Sequence, residues 1–101
     1  MNQSIVEAFE PLFYPKSVAV IGASSELTKF GNIILSAIME TGYGGKIYPV
    51  NPERGEINGL KVYGSLREIP AQVDLAILIV PAPSVQAALE ECLRKGVKGA
   101  E

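Results

Sequence analysis

Apolar and polar positions fall in blocks along this chain, and the blocks change period. Val18-Ala19-Val20-Ile21 is a short apolar run entered from Ser17 and closed by Gly22. Such a run, half of it valine and bounded by glycine, predicts a strand buried on both faces. From about Phe30 the residues Ile33, Ile34, Ala37, Ile38 and Thr41 recur at helical spacing, and Gly42 follows as a stop. Lys46-Ile47-Tyr48-Pro49-Val50 predicts a second strand, kept short by a proline near its carboxyl end. Asn58-Gly59 lies between short extended arms, a hairpin signal, with Lys61 to Tyr63 as a third, edge strand. Leu75 to Val80 is a wholly apolar run, the fourth strand, ended by Pro81-Ala82-Pro83. Val85, Ala88, Leu89, Cys92 and Leu93 then mark one helix face, and Gly96 ends it. That helix starts either with Pro83 as first helical residue or with Ser84 as its N-cap.

Two stretches, Ser4 to Glu7 and Ser65 to Glu68, have the capping-box spacing. Each predicts a short helix, stopped by Pro11 and Pro70 respectively. Residues 1–15 read as an arm packed across the amino end of the first strand. Val97 to Glu101 has the position of a fifth strand just beginning, so the chain reads as a fragment of a longer, multidomain protein. Alternation of strands and helices with right-handed crossovers predicts an α/β, Rossmann-like, doubly wound parallel sheet of order 3-2-1-4(-5). The order reverses between strands one and four. A ligand crevice is expected there, with Gly22-Ala23-Ser24 on one lip and Val80-Pro81-Ala82-Pro83 on the other.

Composition narrows the chemistry. The 101 residues are 48% hydrophobic, enough for one domain with one core. The net charge of −2 comes without a basic stripe, which argues against a nucleic-acid surface. No apolar run approaches a membrane span, and no basic-then-apolar leader opens the chain. A single cysteine, Cys92, cannot form an internal disulfide and sits on an apolar stripe, so it reads as core filling in a cytoplasmic protein. There is no histidine, which removes the commonest general base and metal ligand. No catalytic residue and no metal site are expected within the chain.

The candidate chemistry lies in the turn after the first strand. A helix N-terminus leaves backbone N–H groups unpaired, and a glycine lets a phosphate approach them. Gly22, Ala23, Ser24 and Ser25 are the candidate contacts. Gly31, nine positions beyond Gly22, brings backbone close either to the ligand or to the first strand. The dinucleotide fingerprint G-x-G-x-x-G is absent, and Asn51 stands where an NAD site wants an acidic residue. Arg54 follows three residues on and suits a phosphate on the adenosine ribose. NADP and coenzyme A both carry one. Residue chemistry leaves both open.

The segments Pro11 to Ser24, Gly42 to Pro52, Val73-Asp74 and Val80 to Pro83, taken in that order, resemble the opening of NDP-forming acyl-CoA synthetases. The resemblance spans nearly the whole chain. It implies the N-terminal CoA-binding domain, related to that of the succinyl-CoA synthetase alpha subunit. It implies CoA or acyl-CoA as ligand, with contacts near Ser24 to Leu27 and at Arg54; Asn51, at the end of the second strand, and Val80, Pro81 and Ala82, on the second lip of the crevice, are candidate contacts by position alone. It also implies partners beyond this chain, an ATP-grasp domain and a phosphohistidine domain. The family reaction converts acyl-CoA, NDP and phosphate into acid, CoA and NTP. Alternatives are a stand-alone, non-catalytic CoA-binding protein and the regulatory domain of a protein acetyltransferase. An NADP-dependent oxidoreductase domain ranks behind them. Tyr43, Tyr48 and Tyr63 are candidates for stacking on adenine, each with a packing role as alternative.

Overall fold

In the computed structural model the described residues are 15–23 and 30–100. Residues 1–14 of the predicted arm, with the helix expected from Ser4, lie outside them, as do Ser24, Ser25 and Glu101. The described elements are β1 (Ser17–Ile21), α1 (Phe30–Glu40), β2 (Lys46–Val50), β3 (Gly55–Ile57), β4 (Leu60–Val62), β5 (Leu75–Leu78), α2 (Val85–Lys95) and β6 (Gly99–Ala100).

The main sheet is parallel, with spatial order β2-β1-β5-β6. Beyond β2 the predicted third strand joins only through one bridge, Val50 with Tyr63. Tyr63 N–H donates to the Pro49 carbonyl and Asn51 N–H to the Tyr63 carbonyl, both at 2.9 Å. Counting that bridge, the order is the doubly wound one. The arm of the third strand is instead spent on an antiparallel hairpin, β3 with β4. Asn58 and Gly59 form its tight turn with φ of 51° and 84°, the left-handed pair such a two-residue loop requires. Pro49 directs its carbonyl at the lone bridge, so its missing N–H falls on the side where the ladder is already nearly absent. β6, the fifth strand, pairs with the start of β5.

Both faces of β1 are buried, which is why its sequence does not alternate. Val18 and Val20 pack with Leu35 of α1 on one face; Ala19 packs with Ala76 and with Cys92 of α2 on the other. The inward faces of both helices differ from those the spacing predicts. In α1, Gly31, Asn32 and Leu35 are buried, while Ile33 is half exposed and Ala37 faces solvent. The cause is Gly31: a Cβ there would overlap the Gly22 carbonyl oxygen. The helix therefore docks on its glycine edge, and Ile33 turns away. Of the two neighbours considered for Gly31, the structure shows the backbone of the turn after the first strand.

In α2, Cys92 is buried and Ala88 half-buried, whereas Val85, Leu89 and Leu93 are exposed. Polar contacts set this rotation. Glu91 Oε1 accepts the Leu66 N–H at 2.8 Å, and Lys95 Nζ donates to the Ile69 carbonyl. Residues 66–68 make one 3-10 turn in place of the predicted short helix, and Ser65 makes no side-chain cap. The carboxylate of Glu91 caps it from α2. The helix itself follows a 3-10 turn over Ala82–Ser84, and Gly96 ends it in a left-handed conformation, φ 82°. At the amino end of the sheet, Asp74 accepts the Lys16 N–H at 2.8 Å, and its own N–H donates to Ser17 Oγ at 3.0 Å. Among the described residues no helix is long and apolar enough to cross a membrane.

Candidate functional site

At the carboxyl ends of β1, β2 and β5 the chain encloses a cleft of about 200 Å³. Gly22 and Val80, which follow on from the paired ends of β1 and β5, both line it, together with Val50, Pro52, Gly64 and Ser65. The turn after β1 is tied into this arrangement from both neighbours. Gly22 N–H donates to the Val50 carbonyl at 3.0 Å, and Ile79 N–H donates to the Ile21 carbonyl at 2.8 Å. Gly22 has φ 95°, and a Cβ on it would overlap the Ile79 carbonyl oxygen. The glycine is thus demanded by the strand junction itself, before any ligand is considered.

The predicted site residues are distributed unevenly around the cleft. Gly22 and Val80 line the cleft. Ala23, Gly31 and Asn51 support it from behind: Ala23 is fully buried, and Asn51 Nδ2 donates to the Ala23 carbonyl at 2.8 Å. Asn51 Oδ1 accepts the Glu53 N–H at 2.9 Å, so this one amide sets the geometry of both loops. Arg54 stands at the rim. Its Nη2 and Nε reach the Glu68 carboxylate at 2.7 and 3.1 Å, directly above Gly64, which lines the cleft. Pro81 and Ala82 are exposed just beyond Val80 and do not line the cleft. Ser24 and Ser25 lie outside the described residues.

Sequence reading missed Gly64, Ser65, Ala88 and Glu91, all of which line the cleft. Gly64 and Ser65 lie between β4 and the 3-10 turn, and Ala88 and Glu91 come from α2 in the β5-to-β6 crossover, so two separate connections bring them to one cleft. Glu91 is the one ionisable side chain among the described lining residues; the remainder are apolar or small. The tyrosines have packing partners elsewhere. Tyr43 donates to the Pro15 carbonyl at 2.6 Å, while Tyr48 and Tyr63 meet edge to face, 5.8 Å between ring centres. No cluster of three potential metal ligands occurs among the described residues.

A family model described as a CoA binding domain matches residues 16–100. The chain belongs to the CoA-binding domain family. Its members include segments of much longer enzymes. The alpha subunit of an ADP-forming acetate–CoA ligase I from Pyrococcus furiosus is 56% identical over 95 residues, covering 90% of this chain and 21% of that subunit. An ADP-forming acetate–CoA ligase II from Archaeoglobus fulgidus is 53% identical, over 88% of this chain and 13% of that protein. The chain spans about a fifth or less of the ligases it matches. A solved acetyl-CoA synthetase of Candidatus Korarchaeum cryptofilum, in complex with phosphate and ADP, superposes with a TM-score of 0.88. Its identity is 40%, over 91% of this chain and 20% of the synthetase. As a member of this family the chain is homologous to the corresponding domain of ADP-forming acyl-CoA synthetases.

Proposed function

We propose that the chain binds coenzyme A or an acyl-CoA in the cleft lined by Gly22 and Val80, as the CoA-binding module of an NDP-forming acyl-CoA synthetase. One observation carries this reading: the segment matched to the CoA-binding family, residues 16–100, contains every described residue of the cleft. The diphosphate approaches the backbone after β1, at Gly22 to Ser25. Arg54 meets the ribose phosphate from the rim, and Asn51 holds the two loops in register. Val80 meets the ligand from the end of β5, with Pro81 and Ala82 just outside the cleft. The apolar walls suit the neutral pantetheine arm better than they suit a second charged group.

The chain supplies binding and orientation of CoA, and the phosphoryl chemistry belongs to partner domains, an ATP-grasp unit and a phosphohistidine unit, in the cytoplasm. A second reading, a stand-alone CoA-binding protein, is favoured by shorter relatives. Protein YneT of Bacillus subtilis is 32% identical over 91% of this chain and 67% of its own length. The much higher identity to the ligases, 56% and 53%, favours the first.

Calorimetric titration with CoA, dephospho-CoA and NADH tests the ligand. CoA is expected to bind tightest, ahead of dephospho-CoA by about three- to tenfold, since an exposed arginine–phosphate contact is partly screened. Preference for NADH would refute the assignment.

A further inference from the structure

We propose that Glu68 is a positioning residue: it holds Arg54 by one edge of the guanidinium so that the opposite edge is presented to the ribose phosphate of the bound nucleotide. The proposal rests on the CoA reading above. Glu68 takes the Nε and Nη2 edge, at 3.1 and 2.7 Å. A guanidinium carries five N–H donors in a rigid plane, and this pair uses two. The Nη1/Nη2 edge, a second fork matched to two phosphate oxygens, stays clear of the carboxylate. The two anions would then sit on different edges of one cation.

Three separate segments fix where that guanidinium lies. Arg54 itself has φ 57°, a left-handed conformation that costs a non-glycine residue energy, and its N–H closes a turn on the Asn51 carbonyl at 2.9 Å. Gly64 lies beneath the pair, and a Cβ there would intrude on both the Glu68 carboxylate and the guanidinium. The Gly64 N–H also donates to Glu68 Oε1 at 3.3 Å. Both side chains remain well exposed, 60% and 37%, so an ion pair here adds little to stability. Strained backbone, a bare glycine and a double hydrogen bond are thus concentrated on aiming one charge at the cleft rim, where Gly64 also lines the cavity.

The test is the ratio of CoA to dephospho-CoA affinity, measured by titration on the whole chain and its variants. Glu68→Gln is expected to lower the ratio about threefold or more while leaving dephospho-CoA affinity unchanged. In an Arg54→Ala background the same substitution should leave the ratio unaltered. The exchanged pair, Arg54→Glu with Glu68→Arg, retains an ion pair across the loops but moves the cation, and should lose the discrimination. A Glu68→Gln ratio equal to or above wild type would overturn the proposal, the latter showing that Glu68 competes with phosphate. A wild-type chain that binds no CoA would instead refute the reading beneath it.

Discussion

The carbonyl oxygen of Ile79 occupies the space that any side chain on Gly22 would need. Strand β5 ends so close to the turn after β1 that the two strands share one backbone-lined corner. Three glycines separate the causes of strain. Gly22→Ala meets both the overlap and a left-handed φ of 95°; Gly31→Ala meets only an overlap, with the Gly22 carbonyl; Gly42→Ala meets only a φ of 77° in open space. Chemical denaturation should rank Gly22→Ala as most destabilising, with Gly42→Ala costing about 1–2 kcal/mol, the price of the left-handed backbone alone. Equal losses at positions 22 and 42 would mean that the strand junction relaxes freely.

Asn51 joins the loops after β1 and β2 through its amide, donating to Ala23 and accepting from Glu53. Asn51→Asp keeps the acceptor but sets a carboxylate oxygen against the Ala23 carbonyl. That change should cost more stability than Asn51→Ala, which forfeits about 1–3 kcal/mol of satisfied hydrogen bonding. Denaturant midpoints of the two variants check the order. An acidic residue at the end of the second strand, useful for holding a ribose in NAD sites, is therefore disfavoured here by the protein's own backbone.

Hydrogen bonding to Arg54 holds the Glu68 carboxyl below its ordinary value, outweighing desolvation, and the Gly64 N–H and the charges of Arg54 and Lys61 add smaller effects in the same downward direction. A carboxyl lowered on folding contributes stability above its unfolded value, near ~4.3, and loses it as pH falls through the lowered folded value. Carbon-detected NMR titration should show Glu68 titrating low in the wild-type chain and moving upward in Arg54→Ala. An unchanged midpoint would remove the ion pair from solution.

Burial, aided by the charge of Glu91, pushes the Cys92 thiol above its ordinary value. A thiol raised on folding favours the folded state below its unfolded pKa and withdraws that support as pH rises through the folded one. Cys92 should therefore react slowly with a disulfide reagent at neutral pH, at a rate that follows unfolding. Fast reaction in native buffer would show that α2 lifts from the sheet.

The parallel sheet and its order were legible because strand period, glycine and proline punctuation act locally. The faces of the helices were not. In α1 a close approach at Gly31 outweighs the apolar spacing of Ile33 and Ala37, and the partner in that approach, the Gly22 carbonyl, is distant enough in sequence to leave no periodic trace. In α2 the bonds of Glu91 and Lys95 to residues 66 and 69 turn Leu89 and Leu93 outward. The Arg54–Glu68 pair spans 14 positions and a hairpin. No local rule joins them.

The central claim, that CoA occupies the cleft at the carboxyl ends of β1, β2 and β5, is tested most directly by amide NMR of the isotope-labelled chain titrated with CoA. The amides of Gly22, Gly64, Ser65 and Val80 are expected to shift together along one saturating curve. Those of Tyr43, Asp74 and Gly99, at the opposite end of the sheet, are expected to stay still. Saturable shifts confined to that opposite end, or a cleft that responds to NADH and not to CoA, would contradict it.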